Sequence, residues 1–521
     1  MNHLAALAAA SLATALSPAA AQVERASFDQ SPFALGTLTE SDGALSRDLW
    51  AGSEAEAVGE QLRNLPTRFD DPVKRMILRR VLLSPGEAPE GADSQLAGLK
   101  LLKASEAGYA MEAGGLAELS PGLSTRPSLS RIAAIRDLYR GRIDPACQRG
   151  ASLREGRQDP FFVRLRAFCY IHTGERAAAD LTISLAREEG ALSASDERMF
   201  SALLAGRPIA EYPESGLQYA AYRKNAGVFA PGDIERLAPS VAAAVVLDEG
   251  IAIPAREQAL YRAARESLLG DRDLGDAAVN LTGTAAAEEI GRIRGYPEGF
   301  SEREVAIGEA LLAARSNPDL FLLYTKVFSS EIASLMPQEQ TAPFAAEIAL
   351  ASLLNRRFEA AERWMQQLAT EQTIGAERAF LNLAKLYGYL RPGAAQRLAG
   401  AVGAEISGPK VGEIQIYDPL AARSEDIELA EETSRALRAA RSGSRAAMLL
   451  SALTSGAIEA EGEAAAIRDR IGSTLYSEAN ASEFLREAAF TRDALAAVAS
   501  LRESAIDDEA YVPRLKPGQG R

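Results

Sequence analysis

The sequence predicts an all-α protein, built of short helical hairpins stacked as an α-solenoid or superhelix. Three observations carry that expectation. Ala, Leu, Glu and Arg dominate the 521 residues, aromatics make up 6%, and period-two runs of Val, Ile and Thr are nearly absent, a composition that favours helix over strand. An Asx-Pro pair recurs as a helix start at Asp71-Pro72, Asp144-Pro145, Asp159-Pro160, Asn317-Pro318 and Asp418-Pro419, which places an N-cap acceptor before a proline at the first helical position. Small residues also fall at the spacing where paired helices must touch, most clearly from Phe161 to Gly190. No heptad pattern is sustained, which disfavours a coiled coil.

The chain opens with an apolar run from Leu4 to Leu16, then Ser17-Pro18 and Ala19-Ala20-Ala21-Gln22. Ala19 and Ala21 supply the small-x-small pattern of a signal peptidase site, so residues 1–21 are expected to be a signal peptide cleaved after Ala21. A transmembrane anchor is the competing reading. The run is shorter than the roughly 20 apolar residues a span needs, and Pro18 breaks it; against the signal, Met1-Asn2-His3 contains no Lys or Arg. Residues 22–52 read as an irregular lead-in, with Trp50 at its edge open to either packing or contact. The mature remainder, about 500 residues, is too long for one ordinary core and calls for several domains or an extended array.

Residues 53–205 form the expected N-terminal helical repeat region. It includes the helix VKRMILRRVLL after Asp71-Pro72, a Pro/Gly loop from Ser84 to Gly91, and a helical pair from Gln95 to Leu119. Cys147 and Cys169 are the only cysteines, and in an exported chain an even count reads first as a disulfide, with two buried reduced thiols as the alternative. If Asp144-Pro145 and Asp159-Pro160 each open a helix and the pair turns near Gly156, the two thiols meet. The central repeat region, residues 206–402, follows the Gly/Pro-rich stretch Gly206 to Gly216. Residues 403–418 are an expected linker holding VGEIQIY, Val411 to Tyr417, as one plausible strand. Residues 419–506 are a C-terminal helical region running from the acidic start at Ser424 to Arg-rich positions 434–443, an order that suits the helix dipole. Residues 507–521 read as a flexible tail.

Within Phe161 to Gly190, the positions Ala167, Tyr170, Gly174, Ala179, Ile183 and Ala186 supply small, aromatic, turn, small, bulky and small residues in order. Ala167 and Ala179 let two helices approach, Gly174 permits the turn, and Tyr170 with Ile183 fill the gaps between them. This segment resembles a tetratricopeptide-type helical hairpin, departing from that family at Arg166, where an apolar residue is usual, and in lacking a closing proline. A second unit, Phe344 to Leu368, places Ala349, Phe358, Ala361 and Met365 similarly. A third begins at Ala376 with Phe380, Leu383, Ala384 and Tyr387, and departs from the pattern at Gly400. Ala349 and Ala384 are 35 positions apart, close to the family repeat of about 34, and the resemblance covers about a quarter of the chain.

The formal charge of −14 repels a phosphate backbone, so nucleic acid is not an expected partner. After signal removal, His172 is the only histidine, and no Gly-x-Ser-x-Gly elbow, phosphate loop or dinucleotide fingerprint accompanies it. Ser407 and Lys410 match Ser-x-x-Lys, but Gly408 and Pro409 oppose the helical turn that motif needs. Cys147, Cys169 and His172 lack a fourth ligand for a closed zinc site. The expectation is therefore an exported, non-catalytic scaffold without cofactor or metal. It would mediate protein-protein interaction in the cell envelope, with an envelope protein or cell-wall component as partner and no membrane span in the mature chain. Two other readings stand beside it: a peptidoglycan-processing enzyme carried on a helical superhelix, and a periplasmic binder of a small ligand.

Overall fold

A computed structural model describes residues 32–39, 42–69, 72–120, 123–371, 373–402, 490–491 and 493–498. The expected signal peptide, the linker with its strand, Ser407 and Lys410, the Asp418-Pro419 start, most of the C-terminal helical region and the tail lie outside these residues. Among the described residues every regular element is helical, and the one β contact is an isolated bridge between Glu54 and Glu90. No helix among them is long and apolar enough to cross a membrane.

The described part of the lead-in, residues 32–39 and 42–52, is irregular but packed. Its apolar positions Phe33, Leu38, Leu45, Leu49 and Trp50 are all buried, and its backbone is stitched to the loop after the second helix, Gly86 N–H donating to Phe33 O at 2.9 Å and Glu87 N–H to Arg47 O at 2.7 Å. Trp50 meets Phe33 edge to face at 5.5 Å, so of its two readings the packing one holds. Helices α1 (Ala55–Asn64), α2 (Pro72–Leu83), α3 (Ser94–Ala104), α4 (Ala110–Leu119) and α5 (Pro127–Tyr139) follow. The α3–α4 pair is joined by a π-helical turn, Ser105–Tyr109, in which Gly108 has φ 114°. A Cβ there would sit 2.7 Å from Pro239 Cβ and 2.8 Å from Leu268 Cδ2, so both backbone conformation and close approach demand glycine.

The chain continues through α6 (Ile143–Ser152), α7 (Pro160–Thr173), α8 (Arg176–Glu188), α9 (Ala194–Ala205), α10 (Gly216–Lys224), α11 (Pro239–Leu247) and α12 (Ile253–Glu266). Every residue of α11 from Pro239 to Val246 is buried, the mark of a helix apolar on all sides and enclosed by its neighbours. Beyond it lie α13 (Asp271–Val279), α14 (Ala285–Gly295), α15 (Ser301–Ala313), α16 (Pro318–Val327), α17 (Ser329–Ser334), α18 (Ala345–Leu354), α19 (Phe358–Thr370), α20 (Ile374–Leu390) and α21 (Pro392–Val402).

Two of the Asx-Pro starts are seen capping. Asp159 accepts from Phe161 N–H and Asn317 from Leu320 N–H. The Asp144-Pro145 start needs correction: α6 begins at Ile143 with Arg142 in the cap position, and no side chain caps it. The Gly141 turn runs directly into the helix, Ile143 N–H donating to Gly141 O. Asp144 is thereby carried into the first turn, where its carboxylate lies 3.2 Å from His172 Nε2.

Contacts between distant segments tie the fold together. Ser240 of α11 donates to Ser105 O, Ser329 donates to Asp271 at 2.9 Å, Arg140 meets Asp273 at 3.5 Å, and Arg357 meets Asp42 at 3.7 Å. Helices on both sides of the Gly206 to Gly216 stretch thus share one hydrophobic core. Several charged groups inside are paired. Arg79 reaches Glu112 at 2.8 Å, and Asp137, with no exposed side-chain surface, pairs with Arg142 and Arg149.

A braced hairpin as candidate functional site

The sulfurs of Cys147 and Cys169 are 1.99 Å apart, with their Cα atoms 5.8 Å apart, within the range of a disulfide. The bridge joins α6 to α7 across a turn at Gly156, whose φ of +70° and 2.4 Å approach of its would-be Cβ to Pro127 Cγ exclude a larger residue. His172, on the last turn of α7, stacks on Phe168 at 6.5 Å beside Asp144. Cys147 and Cys169 are consumed by the bridge. Among the described residues no cluster of three or more His, Cys, Asp or Glu could hold a metal ion.

The hairpin positions singled out by their spacing are brought together as helix pairs. In α7–α8, Ala167, Ala179, Ile183 and Ala186 are buried between the helices, and Gly174 closes α7 in the left-handed conformation with φ 84°. Glu175 N–H donates to Tyr170 O at 2.8 Å, satisfying a carbonyl that the helix end would orphan. In α18–α19, Ala349, Ala361, Trp364 and Met365 are buried and Phe358 is partly so. The turn residue with positive φ there is Arg356, at 58°, rather than a glycine. In α20–α21, Phe380, Leu383, Ala384 and Tyr387 are buried, while Gly400 is exposed with open space where a side chain would be. Helix α20 packs on both α18 and α19. The Tyr387 hydroxyl donates to Glu362, and its ring lies 6.0 Å from that of Phe358.

Tyr170 differs from its expected role. It is only half-buried and, with Arg166, lines an apolar surface pocket of about 270 Å³ over the disulfide, shared with Phe162, Leu165 and both cysteines. The two residues that stand out from the hairpin pattern thus face one hollow. On the far side of the hairpin, α8 presents Leu181 and Leu185, 62% and 49% exposed. Beyond α8 lies a groove of about 580 Å³ between α9 and the extended segment 207–213, with Arg187, Met199, Arg207, Ile209 and Tyr212 among its walls. Ion pairs of Arg187 with Glu197 at 2.8 Å and Arg198 with Glu211 at 2.6 Å line it. The outward leucines had a sequence signal. RAAADLTISLARE carries more apolar positions than one buried face can take, and Leu181 and Leu185, four apart, fall on the other face.

The described residues therefore define an all-α protein of packed helical hairpins, one of them disulfide-braced and faced with exposed leucines. The chain matches no protein-family model, no curated protein and no solved structure.

Proposed function

We propose that the protein is an exported, non-catalytic helical-repeat scaffold that mediates protein-protein interaction in the cell envelope. On this reading residues 1–21 direct export to the periplasm and are removed after Ala21, and the tetratricopeptide-like hairpins stack as a superhelix. The observation that carries the proposal is the exposed pair Leu181 and Leu185 on a hairpin held by a covalent brace, beside a groove walled by apolar and paired charged groups. Apolar side chains in water at a rigid, charge-rimmed surface are what a recognition site supplies, because covering them releases water without first ordering the support. The partner element that fits is an amphipathic helix of an envelope protein, laying its apolar stripe along α8.

A photo-crosslinking residue placed at Leu185 in the native envelope should give a discrete adduct with one protein. The double variant Leu181→Glu, Leu185→Glu should weaken the purified pair by at least about tenfold, the cost of setting charges into an apolar contact. Met336→Glu, at another exposed apolar residue, should leave binding unchanged. Absence of an adduct, or equal binding by all three chains, would remove the proposal; release of soluble fragments from peptidoglycan by the purified protein would replace it with the enzymatic reading.

A further inference from the structure

A third concavity lies apart from the α8 face. It has a volume of about 440 Å³ and is enclosed by the loop after α1, the π-turn, α5, the first turns of α7, α9, α10 and α11, and their caps. Its size falls within the range of pockets that enclose small organic molecules. Three arginines line it, Arg68, Arg131 and Arg164, together with the carboxylates Glu106, Asp196 and Glu214.

Those charges do not cancel in space. Arg164 is held by Asp196 at 2.8 Å, and Asp196 is further saturated by the backbone N–H and hydroxyl of Ser193 at 3.0 and 2.7 Å. At the rim Arg68 faces Glu214 at 3.7 Å, and Glu106 faces Lys103 at 3.5 Å. Each pocket carboxylate thus has a cation of its own. Arg131 makes no ion pair: its guanidinium lies 5.3 Å over the Phe161 ring, its buried Nε has no hydrogen-bond partner, and Asp159 and Glu106 act on it only at longer range. Arg131 is partly buried, desolvation disfavours its charged form, and a desolvated cation gains where an anion answers it. Hydroxyls stand on the same walls, those of Ser105, Tyr139, Ser215 and Ser240.

We propose that this pocket binds a small organic monocarboxylate, its carboxylate taken by the Arg131 fork and its polar body by the surrounding hydroxyls. The planar guanidinium presents parallel N–H donors that match a carboxylate edge. One guanidinium without an ion-pair contact, in a pocket whose other arginines are paired, suits a monoanion better than a doubly charged phosphate. This site is separate from the α8 surface and does not depend on the scaffold reading.

The test is calorimetric titration of the full chain with benzoate, pyruvate and N-acetylglycine, each against its neutral amide, and with inorganic phosphate. At least one carboxylate should bind, and its amide should bind at least about tenfold more weakly. Arg131→Gln should lose at least about tenfold in affinity and Arg131→Lys should fall between, while Glu211→Gln in the other groove and the α8 double variant bind as wild type. Should Arg131→Gln fail to fold, phenylglyoxal labelling of Arg131 in the wild-type chain, read by peptide mass spectrometry, replaces it. The carboxylate should slow that labelling by about tenfold at saturation. The proposal falls if no carboxylate binds, if phosphate binds as tightly as the best carboxylate, if a folded Arg131→Gln keeps wild-type affinity, or if the labelling is unprotected.

Discussion

Lys100 is 1% exposed, its ammonium 3.2 Å from Ser84 O and 5.2 and 5.4 Å from the rings of Phe33 and Trp50. The carbonyl and the two π faces favour the charged form, but burial outweighs them and pushes the pKa down to about 7. An unfolded lysine titrates near 10.4, so between about pH 7 and pH 10 the unfolded chain binds the extra proton, and stability rises with pH through that window. Below pH 7 both states are protonated and the cost is complete, on the order of 5 kcal/mol. Lys100→Met should therefore raise the melting temperature, by clearly more at pH 6 than at pH 9.5. An equal gain at both values would show that the ammonium does not titrate in this window. No sequence pattern marks Lys100 or Arg131, because the surroundings of each are supplied by elements distant in the chain. Asp144 shows the reverse failure: its local signal is sound, but a turn running straight into α6 displaces it from the cap.

Helices were far more legible, because pairing small residues against bulky ones is a local matter. Ala167 with Ala179 and Ala349 with Ala361 mark their hairpins by spacing alone, and both pairs are buried. The disulfide was legible for a similar reason, since its cysteines flank a single turn. It closes a loop of 22 residues, which by chain entropy stabilises the fold by about 3 kcal/mol. A Cys147→Ser, Cys169→Ser double variant should melt several degrees lower than the oxidised wild type, and reductant should lower the wild type to match it. If reductant leaves the wild-type melting temperature unchanged, the bridge contributes nothing to stability. What spacing could not show is which hairpin face stays in water, because that depends on which helices arrive later to cover it; among the described residues Leu181 and Leu185 remain exposed.

At the scale of the whole molecule, the contacts that cross the Gly206 to Gly216 stretch decide how the fold comes apart. Ser105 with Ser240 and Arg140 with Asp273 connect segments more than a hundred residues apart, and Gly108 admits Pro239 and Leu268 into contact with the π-turn. The N-terminal and central helical regions should accordingly unfold in one calorimetric transition. Gly108→Ala should lower that transition by about 3 kcal/mol, combining strain at positive φ with overpacking. Two separated transitions, only one of them moved by Gly108→Ala, would show that the regions fold independently. The disulfide acts at this scale too, as a mechanical shortcut. Tension drawn along the chain passes from Cys147 to Cys169 through the sulfurs, bypassing the 22-residue loop, so about 75 Å of contour length cannot be paid out while the bridge is intact. The α6–α7 junction is thus inextensible, and a load taken up by a partner on α8 would have to be relieved elsewhere in the molecule.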